Sequence, residues 1–164
     1  MKNFFTFLLL VFSLSCLAQK AEIMTFEQLE ARYLKGSQDT LYVLNFWATW
    51  CVPCVKELPF FEKSKNDFKD MPVEIILVSL DFEKQIESRL NPFIVKKNLK
   101  SKVIFLDAPG EHIWIPKVNE HWSGAIPATL MVNPKTGCST FYEQEFTQEE
   151  LSNQITNNLK PCKN

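Results

Sequence analysis

Leu41-Tyr42-Val43-Leu44-Asn45-Phe46-Trp47-Ala48-Thr49-Trp50-Cys51-Val52-Pro53-Cys54 runs a nearly unbroken apolar segment into two cysteines separated by two residues. A short run rich in β-formers, without polar alternation, is the pattern of a central strand buried on both faces. Beyond Cys54 the spacing of Val55, Leu58, Phe61 or Glu62, and Phe68 is helical, and Pro59 inside that stretch predicts a kink or a missing hydrogen bond. A strand that ends in a turn and reopens as a helix puts the first cysteine at the helix N-terminus. Unpaired N–H groups and the positive end of the helix dipole stabilise an anion there. Cys51 is therefore the candidate nucleophile, and Cys54, a turn further in and shielded, is the candidate resolving thiol. Pro53 stiffens the turn between them and has no N–H to offer. A zinc knuckle also uses this cysteine spacing but needs a second ligand pair, which His112 and His121 do not supply. No metal is expected.

Outward from this stretch, Thr25 followed by Gln28 reads as a capping box that opens a short helix with Phe26, Leu29 and Tyr33 on one face, ending near Gly36. Val73 to Leu80 is a second buried strand closed by Asp81. Ile86 to Leu99 is a helix interrupted or started at Asn91-Pro92, and Lys102 to Leu106 is a third strand. Trp114 to Trp122 reads as a short helical or irregular segment leading to Gly124. Ala128 to Val132 and Ser139 to Tyr142 form two strands across the turn Asn133-Pro134-Lys135-Thr136-Gly137, and Gln148 to Leu159 is a final helix. Alternating helices and strands followed by a hairpin predict an α/β domain with a central mixed β-sheet and helices on both faces. A length of 164 residues, with 46% hydrophobic side chains, suits one such domain.

The formal net charge of −1 excludes the basic excess that holds a phosphate backbone, so nucleic acid is not an expected partner. Lys96, Lys97, Lys100 and Lys102 form the longest basic cluster and read as a solvated face at a helix end. The N-terminus differs in kind: Lys2, an apolar run from Phe4 to Leu14, then small residues from Ser15 to Ala18. This is the pattern of a signal peptide over residues 1–18, with the domain over 19–164. A second reading makes Cys16 a lipidated first residue, although Ser13 stands where such signals usually carry Leu. Of the five cysteines, removal of Cys16 leaves four. Parity in an oxidising compartment leads us to expect a structural disulfide between Cys138, in a predicted turn, and Cys162, near the C-terminus, with two separate thiols as the alternative.

Asn45-Phe46-Trp47-Ala48-Thr49-Trp50-Cys51-Val52-Pro53-Cys54 resembles the active-site stretch of the thioredoxin superfamily, and more closely its TlpA/ResA-like exported bacterial branch. The likeness continues through Glu57-Leu58-Pro59 and Gly124-Ala125-Ile126-Pro127-Ala128-Thr129. It implies a thioredoxin-like fold and a cis Ile126-Pro127 bond facing the cysteines, where backbone holds a partner's extended chain. Trp50, Val52 and Pro53 would complete that partner-binding surface, with Trp50 packing over Cys51. Cytosolic thioredoxins carry an aspartate where this chain has Asn45, and an amide cannot act as a base. Glu57, which the branch resembles in carrying a glutamate, is the candidate replacement, with a solvated surface carboxylate as the plain alternative. The resemblance implies a monomeric thiol:disulfide oxidoreductase without cofactor beyond the Cys51–Cys54 disulfide, in the periplasm or cell envelope of a bacterium. Its partners would be thiols or disulfides of exported proteins, including apocytochrome c during cytochrome c biogenesis, and a membrane thiol electron donor. Two other classes stay open on the residues alone: a copper carrier with His121 as a third ligand, and a thiol peroxidase using Cys51.

Overall fold

The computed structural model describes residues 19–162, so the expected signal peptide and Cys16 lie outside the described residues. Six strands form one sheet, β1 (Glu22–Thr25), β2 (Leu41–Trp47), β3 (Val73–Ser79), β4 (Lys102–Asp107), β5 (Ala128–Asn133) and β6 (Cys138–Tyr142), in the order β1-β4-β3-β2-β5-β6. The first four in that order are mutually parallel, whereas β5 pairs antiparallel with both β2 and β6. All seven residues of β2 are buried, as its apolar run requires of a strand covered on both faces.

Alternation along β2 divides the core. Leu41, Val43 and Trp47 pack with Leu58 and Phe61 of α2 (Val52–Asp67), Ile94 of α3 (Asn91–Lys97), and Leu151 and Ile155 of α5 (Gln148–Asn158). Tyr42, Leu44 and Phe46 pack on the other face with Phe26 and Leu29 of α1 (Phe26–Leu29), and Trp114 and Val118 of α4 (Glu111–Val118). Asn45, in step with Val43 and Trp47, therefore lies on the face that α2 covers. Helices stand on both faces of a mixed sheet, as expected.

The Thr25–Gln28 capping box is present, and a π-helical turn, Glu30–Leu34, prolongs α1. A second such turn, Ile86–Leu90, leads into α3, and Asn98 ends that helix in the left-handed conformation at φ 53°. Helix α2 starts at Val52, with Pro53 in its first turn where no N–H is needed, and absorbs Pro59 in its interior.

Two expectations need correction, and one is extended. Strand β1 has no counterpart in the sequence reading, because it is a four-residue edge strand with only Met24 buried, and its partner β4 is remote in sequence. The short helical segment expected from Trp114 is the second half of α4, which begins earlier, at Glu111, and carries Pro116 in its interior. Lys102 does not belong to a solvated helix end: it opens β4, and its Nζ lies 2.7 Å from Glu22 Oε2 on β1.

Cys138 is the first residue of β6 rather than part of the turn, and it is joined to Cys162 with their Cα atoms 5.8 Å apart. The bridge clips the tail that follows α5 to the outer strand, alongside Tyr142 Oη donating to Gln154 Oε1 at 2.8 Å and Thr140 Oγ1 donating to Asn158 Oδ1 at 2.7 Å. Replacing Cys138 and Cys162 together by serine should lower the unfolding free energy in urea by about 3 kcal/mol, the scale for a loop of this length. Neither thiol should take up an alkylating reagent in the unreduced native protein.

Candidate active site

Strand β2 ends at Trp47, and the chain turns through Ala48–Cys51, with Cys51 N–H donating to Ala48 O at 3.1 Å. The turn is held from the end of β3. Thr49 donates its N–H to the Asp81 carboxylate at 3.0 and 3.2 Å and its hydroxyl at 2.5 Å, while Ser79 Oγ donates to the same carboxylate at 2.9 Å. Cys51 thereby becomes the N-cap of α2, and its Sγ accepts the Cys54 N–H at 3.3 Å. That is the placement at which a helix terminus stabilises a thiolate. The two cysteines are joined as a disulfide. Cys51 is 5% exposed and Cys54 0%, so of the two only Cys51 presents surface to an incoming partner.

The residues expected to form a partner surface gather here. Val52 is 78% exposed, Pro53 is exposed, and Ile126 O lies 3.8 Å from Cys51 Sγ. The Ile126-Pro127 bond is cis. Trp122 Nε1 donates to Ala125 O at 2.8 Å, and Gly124 takes φ 93°, a value that favours glycine, at the approach to this corner. The Trp50 ring stacks on Phe82, with centroids 6.4 Å apart, and both rings remain exposed. Phe82 was not among the candidates, because an isolated apolar residue after a strand carries no pattern. His121 does not join the cysteines: its side chain is 85% exposed and pairs with Glu120, and among the described residues no three His, Cys, Asp or Glu side chains come together as a metal site.

Glu57 is not a surface carboxylate. It is fully buried under the sheet, with Asn45 Nδ2 donating to Oε1 at 2.9 Å and Phe146 N–H donating to Oε2 at 2.9 Å. Asn45 Nδ2 also donates to Thr129 Oγ1 at 3.2 Å, whereas Asn45 Oδ1 is buried with no partner among the described residues. Burial pushes the Glu57 carboxyl up to about 7, against the bonds from Phe146 and Asn45, which favour the charged form; the nearby Glu145 adds to the rise. Thr129 and Phe146 were not among the candidates, and a backbone N–H leaves no signal in a sequence.

A model of the AhpC/TSA family matches residues 15–137. The chain belongs to the AhpC/TSA family. Among its relatives, the "Thiol-disulfide oxidoreductase ResA" of Oceanobacillus iheyensis is 30% identical over 122 residues, covering 74% of this chain and 58% of that protein. The "Sporulation thiol-disulfide oxidoreductase A" of Bacillus subtilis is 32% identical over 109 residues, covering 66% and 62%. The chain thus spans about three fifths of the length of these relatives. The crystal structure of StoA from Bacillus subtilis superposes with a TM-score of 0.57 at 26% identity, over 72% of this chain and 84% of that one. A secreted Mycobacterium tuberculosis disulfide oxidoreductase, homologous to E. coli DsbE, gives a TM-score of 0.55 at 25% identity, over 74% and 84%. The thioredoxin-like fold of this AhpC/TSA family member follows from these likenesses and from its sheet.

A carboxyl raised from 4.5 to about 7 on folding makes the native state bind the extra proton between those values. The cost of burying its charge is absent below pH 4.5, grows as pH rises, and is complete above 7. Glu57→Gln, which carries no charge to bury, should gain about 3 kcal/mol of stability relative to the wild type between pH 4 and pH 9. Urea unfolding of both proteins across that range measures the difference.

Proposed function

We propose that this chain is a thiol-disulfide oxidoreductase that reduces disulfides of exported proteins through a mixed disulfide at Cys51. The observation that carries the reading is the joined Cys51–Cys54 pair at the start of α2, with Cys54 shielded and the buried Glu57 carboxyl three residues further on, held by Asn45 and Phe146. In the reduced protein the Cys51 thiolate attacks one sulfur of the partner disulfide and expels the other as a thiolate. Cys54 gives its proton to the Glu57 carboxylate and attacks Cys51 Sγ. The Cys51–Cys54 disulfide forms, and the partner's second sulfur leaves as a thiolate that then takes up a proton. Two electrons pass to the partner, and a membrane dithiol donor returns the pair to its reduced state. The edge beside Ile126-Pro127, with Trp50, Val52 and Pro53, receives the partner's chain.

The names of the two curated relatives and the secreted mycobacterial neighbour support the class of reaction and its place outside the cytosol. A signal peptide over residues 1–18 accords with that location, and the resemblance to the TlpA/ResA-like branch suggests cytochrome c biogenesis as the process served. The copper reading lacks a third ligand near the cysteines among the described residues. The peroxidase reading finds no support in the names of the two curated relatives, both thiol-disulfide oxidoreductases.

Cys54→Ser should accumulate, on non-reducing gels, a mixed disulfide between Cys51 and a partner that entered as a disulfide, and Cys51→Ser should accumulate none. In an insulin reduction assay the resolution step should rise with pH through about 7. Glu57→Gln should remove that inflection and slow resolution at pH 7.5 by about 100-fold, the usual scale of a lost proton acceptor. A Glu57→Gln profile that overlays the wild type would remove Glu57 from the mechanism.

A further inference from the structure

Asn45 is fully buried, yet its two amide ends are treated unequally. Nδ2 serves Glu57 Oε1 at 2.9 Å and Thr129 Oγ1 at 3.2 Å, and Oδ1 meets no donor among the described residues. A buried acceptor without a partner costs free energy that a well-packed apolar residue would avoid. Its place beside a carboxyl that changes charge suggests what the amide does.

When Glu57 is ionised, both of its oxygens accept, and Nδ2 is the correct partner for Oε1. When Glu57 is protonated, the Phe146 N–H already occupies Oε2, which leaves Oε1 as the better seat for the proton, facing Asn45. There an O–H would confront an N–H. Rotation of the amide by half a turn replaces Nδ2 with Oδ1, which accepts from Glu57 and from the Thr129 hydroxyl, a group able to donate or accept. Because the far end of the amide is unpartnered, this rotation breaks no bond there; an orphaned acceptor is exchanged for an orphaned donor. We propose that Asn45 is a positioning residue that turns its amide over as Glu57 takes up and releases its proton, and so holds the carboxyl in one place through both states. The inference rests on the assignment of Glu57 as the proton acceptor of Cys54. An aspartate at position 45 would lack this reversibility, since its ionised form only accepts. The charged groups that bear on the pair are Glu145 and, through its 3.1 Å contact with Glu145, Lys56; the remaining titratable group on this face of α2 is Cys54, which is silent in the disulfide.

The test is nuclear magnetic resonance on the oxidised protein, in which neither cysteine of the pair titrates. The Glu57 carboxyl carbon and the Asn45 side-chain amide should titrate with one midpoint. Above it the amide protons should show contacts to Thr129; below it those contacts should vanish. In Glu57→Gln the Asn45 amide should not respond to pH. Amide contacts to Thr129 that persist across a clear Glu57 titration would overturn the inference and leave the function intact. Absence of any Glu57 titration between pH 5 and pH 9 would overturn both.

Discussion

Burial of β2 on both faces is the constraint from which the rest of the site follows. A strand flanked by β3 and β5 and covered by helices on each side can release the chain only at its end, so the turn after Trp47 emerges at the sheet edge where α2 begins. Cys51 is the residue at that junction. Its Sγ sits among the free N–H groups of a helix start, and the Asp81 carboxylate holds the preceding turn by three bonds from Thr49. The reactive position is thus created by the backbone path, with side chains of β3 and its following loop fixing the angle at which the path leaves the sheet.

The same burial sets the acid–base chemistry. Any polar group placed on β2 toward α2 lies in the driest part of the domain, where an ionised carboxyl is costly unless donors face it. Glu57 meets two donors, enough to bring ionisation within reach of neutrality but too few to restore the value found in water. A carboxyl with no donors would stay protonated at pH 7, and one with a cationic partner would never take a proton. The intermediate number of bonds is what makes a side chain three residues after Cys54 able to exchange protons under ordinary conditions.

How legible this was depended on whether the information was periodic. Leu41 to Trp47 could be placed as a strand residue for residue, because a run of apolar side chains broken only by Asn45 has few other uses. The Thr25–Gln28 and Cys51-x-x-Cys54 patterns were legible for the same reason: each is a local motif with a local cause. Strand β1 was not, since two apolar residues on a sheet edge carry little signal and the partner β4 lies about 80 residues away. Glu57 could be chosen as a candidate from its spacing to Cys54, but its burial could not, because that depends on Asn45, Thr129 and Phe146 arriving from three other places in the chain. The stacking of Trp50 on Phe82 was hidden likewise, as the two belong to separate turns.

Part of the site comes from outside the stretch that the family model matches, which ends at residue 137. From the segment after β6, Glu143 accepts from the backbone and hydroxyl of Ser123 beside the cis-proline corner, Glu145 pairs with Lys56 on α2, and the Phe146 N–H holds Glu57. Three successive anchors therefore tie one short segment to the loop before the cis-proline, to the start of α2 and to the buried carboxyl. The segment itself is held at one end by β6 pairing with β5 and at the other by the Thr147–Glu150 capping box of α5, with the Cys138–Cys162 bridge closing the unit behind it. The bridge secures the strand and helix between which Phe146 is presented. The edge of the sheet and the buried carboxyl on α2 are in this way joined through a single backbone N–H.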